Sequence, residues 1–180
     1  MKILITAGAT QVPIDQVRAI TNIFKGRTGA AIAHYCFLQG AEVTLITSDR
    51  SILSTTTMRV IYYKTFDELE LHMARELGTG TYDAVIHSAA VSDYRPVGSF
   101  VMRDGAMVSV DKEKIESGHG ELFIKCVPTT KLLDQVKRNW GHTGLLISFK
   151  LQIDMSDDAL IAKARESMAR AGSDLVVANC

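Results

Sequence analysis

Cysteine is scarce: Cys36, Cys126 and Cys180 are odd in number, far apart and without a C-x-x-C pair. That argues against a disulfide framework or a structural zinc site and makes a reducing cytoplasm the expected setting. An excess of either charge is missing too, since 20 basic residues balance 20 acidic ones. No overall field gathers phosphate backbones or anionic lipid, and no local basic patch stands out to bind nucleic acid. No run approaches the roughly 18 apolar residues of a membrane span, and the opening MKILIT is too short for a signal peptide. Internal repeats, low-complexity tracts and linkers are absent. So are the G-x-G-x-x-G and G-x-x-x-x-G-K-[ST] phosphate loops, and no tyrosine has a lysine four residues on, which leaves a nicotinamide-dependent reductase without support.

What is present is apolar material, 47% of 180 residues, enough for the core of one domain. Short β-branched runs recur at 3–5, 43–46, 60–62, 84–86 and 145–149, and a sixth at 175–177 closes the chain. Continuous apolar runs suit strands covered on both faces, and helical segments between several of them point to a parallel sheet in an α/β fold. Thr65 and Glu68 form a capping box ahead of the stripe Leu69, Met73 and Leu77, which predicts a helix over 66–77. Others are expected over 28–39, 130–139 and 157–171. FVMRDGAMVSV, residues 100–110, breaks the alternation with Asp104-Gly105 between two strand-like arms, a hairpin whose exposed arms call for a covering surface or subunit. The chain stops directly after a predicted strand, which reads as a chain that is short or truncated after Cys180.

Four segments have residues suited to chemistry, and each has a structural alternative. Gly8 lies in the turn after the first strand, where parallel sheets bind ligands; a tight turn explains it equally well. Asn22 to Gly29, NIFKGRTG, puts two glycines and two cations at a helix start, suited to an anion or simply a solvated basic cap. HSAAVSDYRP, residues 87–96, follows a buried strand with small residues that admit a flat ligand. Its Asp93 suits a ribose or a magnesium ion among phosphates, or a pairing with Arg95, and His87 equally suits a hydrogen-bonded strand end. The polar run 111–118 offers Lys114 as a mobile point charge, or is plain solvated surface. Gly78-Thr79-Gly80 reads as a helix stop and connector.

In order, ITAGATQVPIDQVRAITN, KGRTG, HSAAVSDYRP, DKEKIESG, ELFIKCVPTTKLL, ISFKLQID and SDLVVAN resemble the phosphopantothenoylcysteine synthetase (phosphopantothenate–cysteine ligase) family of coenzyme A biosynthesis. With no flavin-binding decarboxylase segment ahead of Met1, the resemblance is to its stand-alone form. It implies a Rossmann-like three-layer sandwich with a mainly parallel sheet and a β-hairpin arm: one nucleotide-binding domain over 1–180, with 97–120 as arm and flexible loop. The implied reaction joins 4′-phosphopantothenate to cysteine through an acyl-nucleotide, consuming CTP or ATP with Mg²⁺ and releasing pyrophosphate, in a cytoplasmic homodimer. By resemblance Asn22 holds the acyl-nucleotide and Lys114 is the first lysine of the flexible loop. Ser88, Ala89 and Asp93 contact the nucleotide, with Asp93 on the metal, while Thr130, Lys131, Leu132, Leu133 and Phe149 border it. Gly8, Gly26, Arg27 and Gly29 complete the expected nucleotide site. The chain departs from the family pattern at Glu116 and Ser117, where loop cations are replaced, and at Ser167 and Ala171, where two phosphate-binding lysines would fall. Arg165 and Arg170 lie near those positions, but a helix turns about 100° per residue, so proximity in sequence does not aim them at one site. These losses motivate a second reading, a nucleotide-binding relative without catalysis.

Overall fold

The computed structural model of the chain describes residues 1–52, 58–110 and 114–179. The elements run β1 (Lys2–Ala7), β2 (Gln11–Pro13), β3 (Ala19–Thr21), α1 (Arg27–Leu38), β4 (Glu42–Thr47), β5 (Met58–Tyr62) and α2 (Phe66–Thr79). Then come β6 (Ala84–His87), β7 (Tyr94–Arg103), β8 (Ala106–Val110), β9 (Leu122–Pro128), α3 (Leu132–Arg138), β10 (Leu145–Leu151), α4 (Asp157–Ala171) and β11 (Leu175–Asn179). All six apolar runs enter one parallel sheet of order β11-β10-β6-β1-β4-β5. Counted among themselves these strands lie 3-2-1-4-5-6, the order of a Rossmann sheet.

Both faces of the central strands are covered, which is why their residues are apolar without alternation. On one face Leu4, Ile46, Val85 and Leu146 pack against Phe66, Leu69 and Met73 of α2 and Leu132 and Val136 of α3. On the other, Ile3, Ile5, Val43 and Leu45 meet Ala33, Ile32 and Phe37 of α1. The capping box of α2 forms, with the Glu68 amide donating to Thr65 Oγ1 at 3.2 Å and Glu68 Oε2 accepting from the Thr65 amide at 3.2 Å. This helix runs on to Thr79, so Gly78 lies inside it and only Gly80 caps it. Helix α4 matches its expected span, held at its start by Ser156 and ended by Gly172 at φ 69°.

The hairpin closes through Asp104 and Gly105 at φ 48° and 77°, as a tight turn with two left-handed residues requires. It is larger than the sequence suggested: β7 begins at Tyr94, and β9 pairs along its other edge to give a three-stranded antiparallel sheet. The β2–β3 ribbon was not foreseen either. Residues 111–113 of the expected loop, and Cys180, lie outside the described residues. Among the described residues no helix is long and apolar enough to cross a membrane.

Candidate active site

Strands β1 and β6 are neighbours, yet the chain leaves them in opposite directions across the sheet, so a crevice opens beyond their carboxyl ends. It forms a cleft of about 1060 Å³. Of the expected residues, Gly8, Asn22, Gly26, Arg27, Ser88, Ala89, Asp93 and Phe149 line it.

The floor is glycine packed on glycine. Gly8 and Gly26 take left-handed φ values of 89° and 78°. A Cβ on Gly26 would meet the Gly8 nitrogen at 2.2 Å, and one on Gly8 would meet Ser48 Oγ at 2.1 Å. One turn into α1, a Cβ on Gly29 would meet Ala7 Cβ at 2.7 Å, so this glycine lets the helix approach β1. Gly8, Gly26 and Gly29 thus supply a tight turn, a close approach of backbone to backbone and a helix–strand contact. The β2–β3 ribbon lies between Gly8 and Gly26 in sequence, so the three glycines form no G-x-G-x-x-G. Gly26 supplies no side-chain cap to α1, and the first turn carries no acid, so the leading amides and the helix dipole are free for an anion.

The opposite wall is the HSAAVSDYRP block. Thr6 Oγ1 accepts from the Ala89 amide at 3.2 Å and lies 2.9 Å from His87 Nδ1. A hydroxyl oxygen accepts twice or donates once, so this contact suits the neutral imidazole in either tautomer. Burial pushes the His87 pKa down to about 4, in keeping with a neutral ring. The Ala90 amide donates to Gly8 O at 2.8 Å, and Asn22 Nδ2 donates to Ala90 O at 3.1 Å, so Asn22 is tied directly to the block. Ser92 and Thr10 bond one another side chain to side chain at 2.9 Å, while Thr129, one residue before the expected Thr130, donates from Oγ1 to Ser92 O at 2.6 Å.

Asp93 pairs with Lys131 and not with Arg95, which instead meets Asp67 at 3.2 Å and covers the Phe66 ring. Both members of the Asp93–Lys131 pair are more than half exposed, so it is a weak contact that a ligand can displace. Thr130 is exposed beside it and outside the cleft lining, whereas Leu132 is buried in the core and Leu133 packs against that core. Among the described residues no three carboxylate, histidine or cysteine side chains gather as a metal cage. One cleft carboxylate suits a Mg²⁺ carried in on phosphate oxygens, since that ion keeps most of its shell from water and phosphate.

Lys114, Glu116 and Ser117 are exposed and do not line the cleft. Ser167 and Ala171 do not line this cleft. They lie near the end of α4, which starts beyond the carboxyl edge of β10 and runs back along the sheet away from it, and Ala171 is buried. Arg170 bonds Asp134 of α3, tying the two helices together. The residues at 167 and 171 therefore remove no cation from this cleft. Sequence reasoning passed over Lys150, which lines the cleft from β10 together with Lys25 and Arg27. A lysine interrupting the apolar run of a strand, just beyond the end of its neighbour β6, was the available signal.

A Rossmann-ordered sheet with an anion-ready cleft at its switch point defines the class of protein. The chain belongs to the DNA/pantothenate metabolism flavoprotein C-terminal domain family, whose model matches residues 1–180. It is 40% identical over 178 residues to the coenzyme A biosynthesis bifunctional protein CoaBC of Thermococcus kodakarensis, covering 99% of this chain and 41% of that protein. It thus spans about two fifths of the length of the curated relatives it matches. Among solved structures it resembles the DNA/pantothenate metabolism flavoprotein from Streptococcus pneumoniae, with TM-score 0.85, 31% identity and coverage of 99% and 82% of the two chains. The C-terminal domain of a coenzyme A biosynthesis bifunctional protein CoaBC is similar at TM-score 0.74 and 25% identity, over 99% of this chain and 76% of that one. The family resemblance read from the motifs therefore holds.

Proposed function

We propose that this chain joins 4′-phosphopantothenate to cysteine, activating the pantothenate carboxylate with CTP or ATP. The observation that carries the reading is the cleft in which Gly8, Gly26 and the start of α1 face Ser88, Ala89 and Asp93. The relatives' role in coenzyme A biosynthesis supports it. In the first step a carboxylate oxygen bonds the α-phosphorus and the bond to pyrophosphate breaks. In the second the cysteine amine bonds the acyl carbon, loses a proton, and the nucleotide monophosphate leaves.

Both steps develop negative charge on phosphate oxygens, which preorganised donors stabilise best. The α1 amides with Lys25, Arg27 and Lys150 serve the phosphates, and the Asn22 amide holds the acyl-nucleotide. Lys114 supplies a mobile charge from its loop. Asp93, released from Lys131, would hold Mg²⁺ together with triphosphate oxygens, and the ion would neutralise the leaving pyrophosphate. The exposed Met102, Met107 and Phe123 of the antiparallel sheet suit the covering subunit of a homodimer. The free Cys36 and Cys126 suit a reducing cytoplasm.

The test is pyrophosphate release with Mg²⁺, phosphopantothenate and either CTP or ATP. Release should require all three components, and with cysteine added to discharge the acyl-nucleotide, Asn22→Asp and Lys114→Gln should each lower turnover roughly a hundredfold, the scale of losing one donor to the developing charge. No release with either nucleotide overturns the ligase reading, and tight nucleotide binding without turnover would make the chain a non-catalytic relative. Full activity in both variants would remove Asn22 and Lys114 from the site. Separately, Lys150→Gln should weaken nucleotide binding about tenfold in a calorimetric titration, the value of one charge-assisted bond.

A further inference from the structure

We infer that Asp15 and Arg18 are positioning residues that clamp the Lys114 loop to the tip of the β2–β3 ribbon, the same ribbon that leads into Asn22. The bend between the ribbon strands needs only part of what Asp15 offers. Its Oδ1 accepts from the amides of Val17 at 2.8 Å and Arg18 at 2.6 Å, which closes the turn. The other oxygen, Oδ2, forms an ion pair with Arg18 Nε at 3.1 Å and accepts from the Ile115 amide at 3.2 Å, reaching 100 positions along the chain. Arg18 then donates from Nη2 to the carbonyl of the same Ile115. One residue of the loop thus has both its backbone polar groups taken by one ion pair, and its side chain is buried.

The carboxylate of Asp15 has no exposed surface, so the charge depends on this set of donors for its solvation. Burial pushes its pKa up, but the amides of Arg18, Val17 and Ile115 and the Arg18 guanidinium outweigh this and hold it below the usual carboxylate range. Lys114 adjoins the anchored peptide, so its Cα lies about 3.8 Å from that of Ile115. Exposed Glu116 and Ser117 follow on the other side. At the far end of the ribbon Thr21 Oγ1 donates to Thr10 O at 3.0 Å, and Asn22 bonds Ala90. Lys114 and Asn22, distant in sequence, thereby hang from the two ends of one short element. The catalytic weight of this link rests on the roles proposed for those two residues.

Asp15→Asn separates loop from turn. Its amide oxygen still accepts from Val17 and Arg18, while its NH₂ faces the Ile115 amide donor to donor. Arg18→Met removes the bond to the Ile115 carbonyl and keeps most of the aliphatic stem. In the full chain, each variant should raise hydrogen exchange at the Ile115 amide and tryptic cleavage after Lys114 at least tenfold, with amide exchange in β1 and β6 unchanged. Turnover should fall about tenfold with nucleotide binding within twofold of wild type. Unchanged exchange and cleavage at 114–115 in Arg18→Met overturns the clamp, whatever becomes of the folding of Asp15→Asn. Loosening of the loop with full turnover overturns the positioning role. Exchange and cleavage report on the clamp even in a chain without turnover, so its failure is distinguishable from failure of the ligase reading.

Discussion

Gly26→Ala should lower the melting temperature by about 10 °C and weaken nucleotide binding more than a hundredfold, whereas Gly40→Ala should cost only about 2–4 °C and leave binding intact. The two glycines have nearly the same backbone, φ 78° and 80°. Each substitution therefore carries the same penalty of roughly 1 kcal/mol for an L-residue in the left-handed region. They differ in what surrounds them. Among the described residues nothing lies within 4 Å of a Cβ on Gly40, but on Gly26 it meets Gly8 N at 2.2 Å, Gly8 Cα at 2.7 Å and the Ala7 carbonyl carbon at 3.0 Å. Those are backbone atoms at the end of a buried strand and cannot rotate aside, so α1 must shift and overpacking adds about 2 kcal/mol or more. The same shift moves the α1 amides off any bound phosphate. Thermal unfolding followed by circular dichroism, with nucleotide titration on both variants, checks this. Equal melting of the two would show that the β1–α1 junction has slack.

The sheet was legible because its strands are apolar on both faces, a signal that survives without any homologous sequence. Strand β9 carries the apolar Leu122, Ile124 and Cys126 at alternate positions, a weaker strand signal than a continuous apolar run. The β2–β3 ribbon gave little to find, since each strand has three residues and Ala19 to Thr21 are exposed. Gly8, Gly26 and Gly29 were each expected at the site, but with the ribbon between Gly8 and Gly26 in sequence, their packing on one another shows only in space. Asp93 illustrates the same limit. Arg95, two residues away, was the partner weighed for it, while the cation that meets it, Lys131, follows β9, whose end pairs with the start of β7 beside Asp93. Motif order located Ser167 and Ala171 near phosphate-binding positions of the family; helix direction removes them from this cleft.

Mild acid should destabilise the chain through a residue under the cleft. His87 has a folded pKa of about 4 against an ordinary 6.5, because its ring is buried without a charge partner. Below pH 6.5 the unfolded chain binds a proton that the folded one refuses. The stability from keeping His87 neutral is therefore complete above that value and drains away as pH falls toward 4, where the folded ring is protonated as well. By about pH 4.5 the loss should reach about 2–3 kcal/mol, on the scale of a one-unit pKa shift being worth a little over 1 kcal/mol. Asp15, Asp49, Glu68, Glu76 and Asp174 all have lowered carboxyl pKa values, so their stabilisation is lost only in more acidic solution. Urea unfolding between pH 7 and about 4.5 should show the slope in the wild type and lose most of it in His87→Asn, whose amide oxygen can still accept from Thr6. Nucleotide binding should weaken over the same range. A protonated His87 would donate to Thr6 Oγ1, the atom that receives the Ala89 amide, and so disturb the wall of the cleft from beneath. A flat stability profile in the wild type would mean that His87 is solvated in solution and that Thr6 alone holds Ala89 in place.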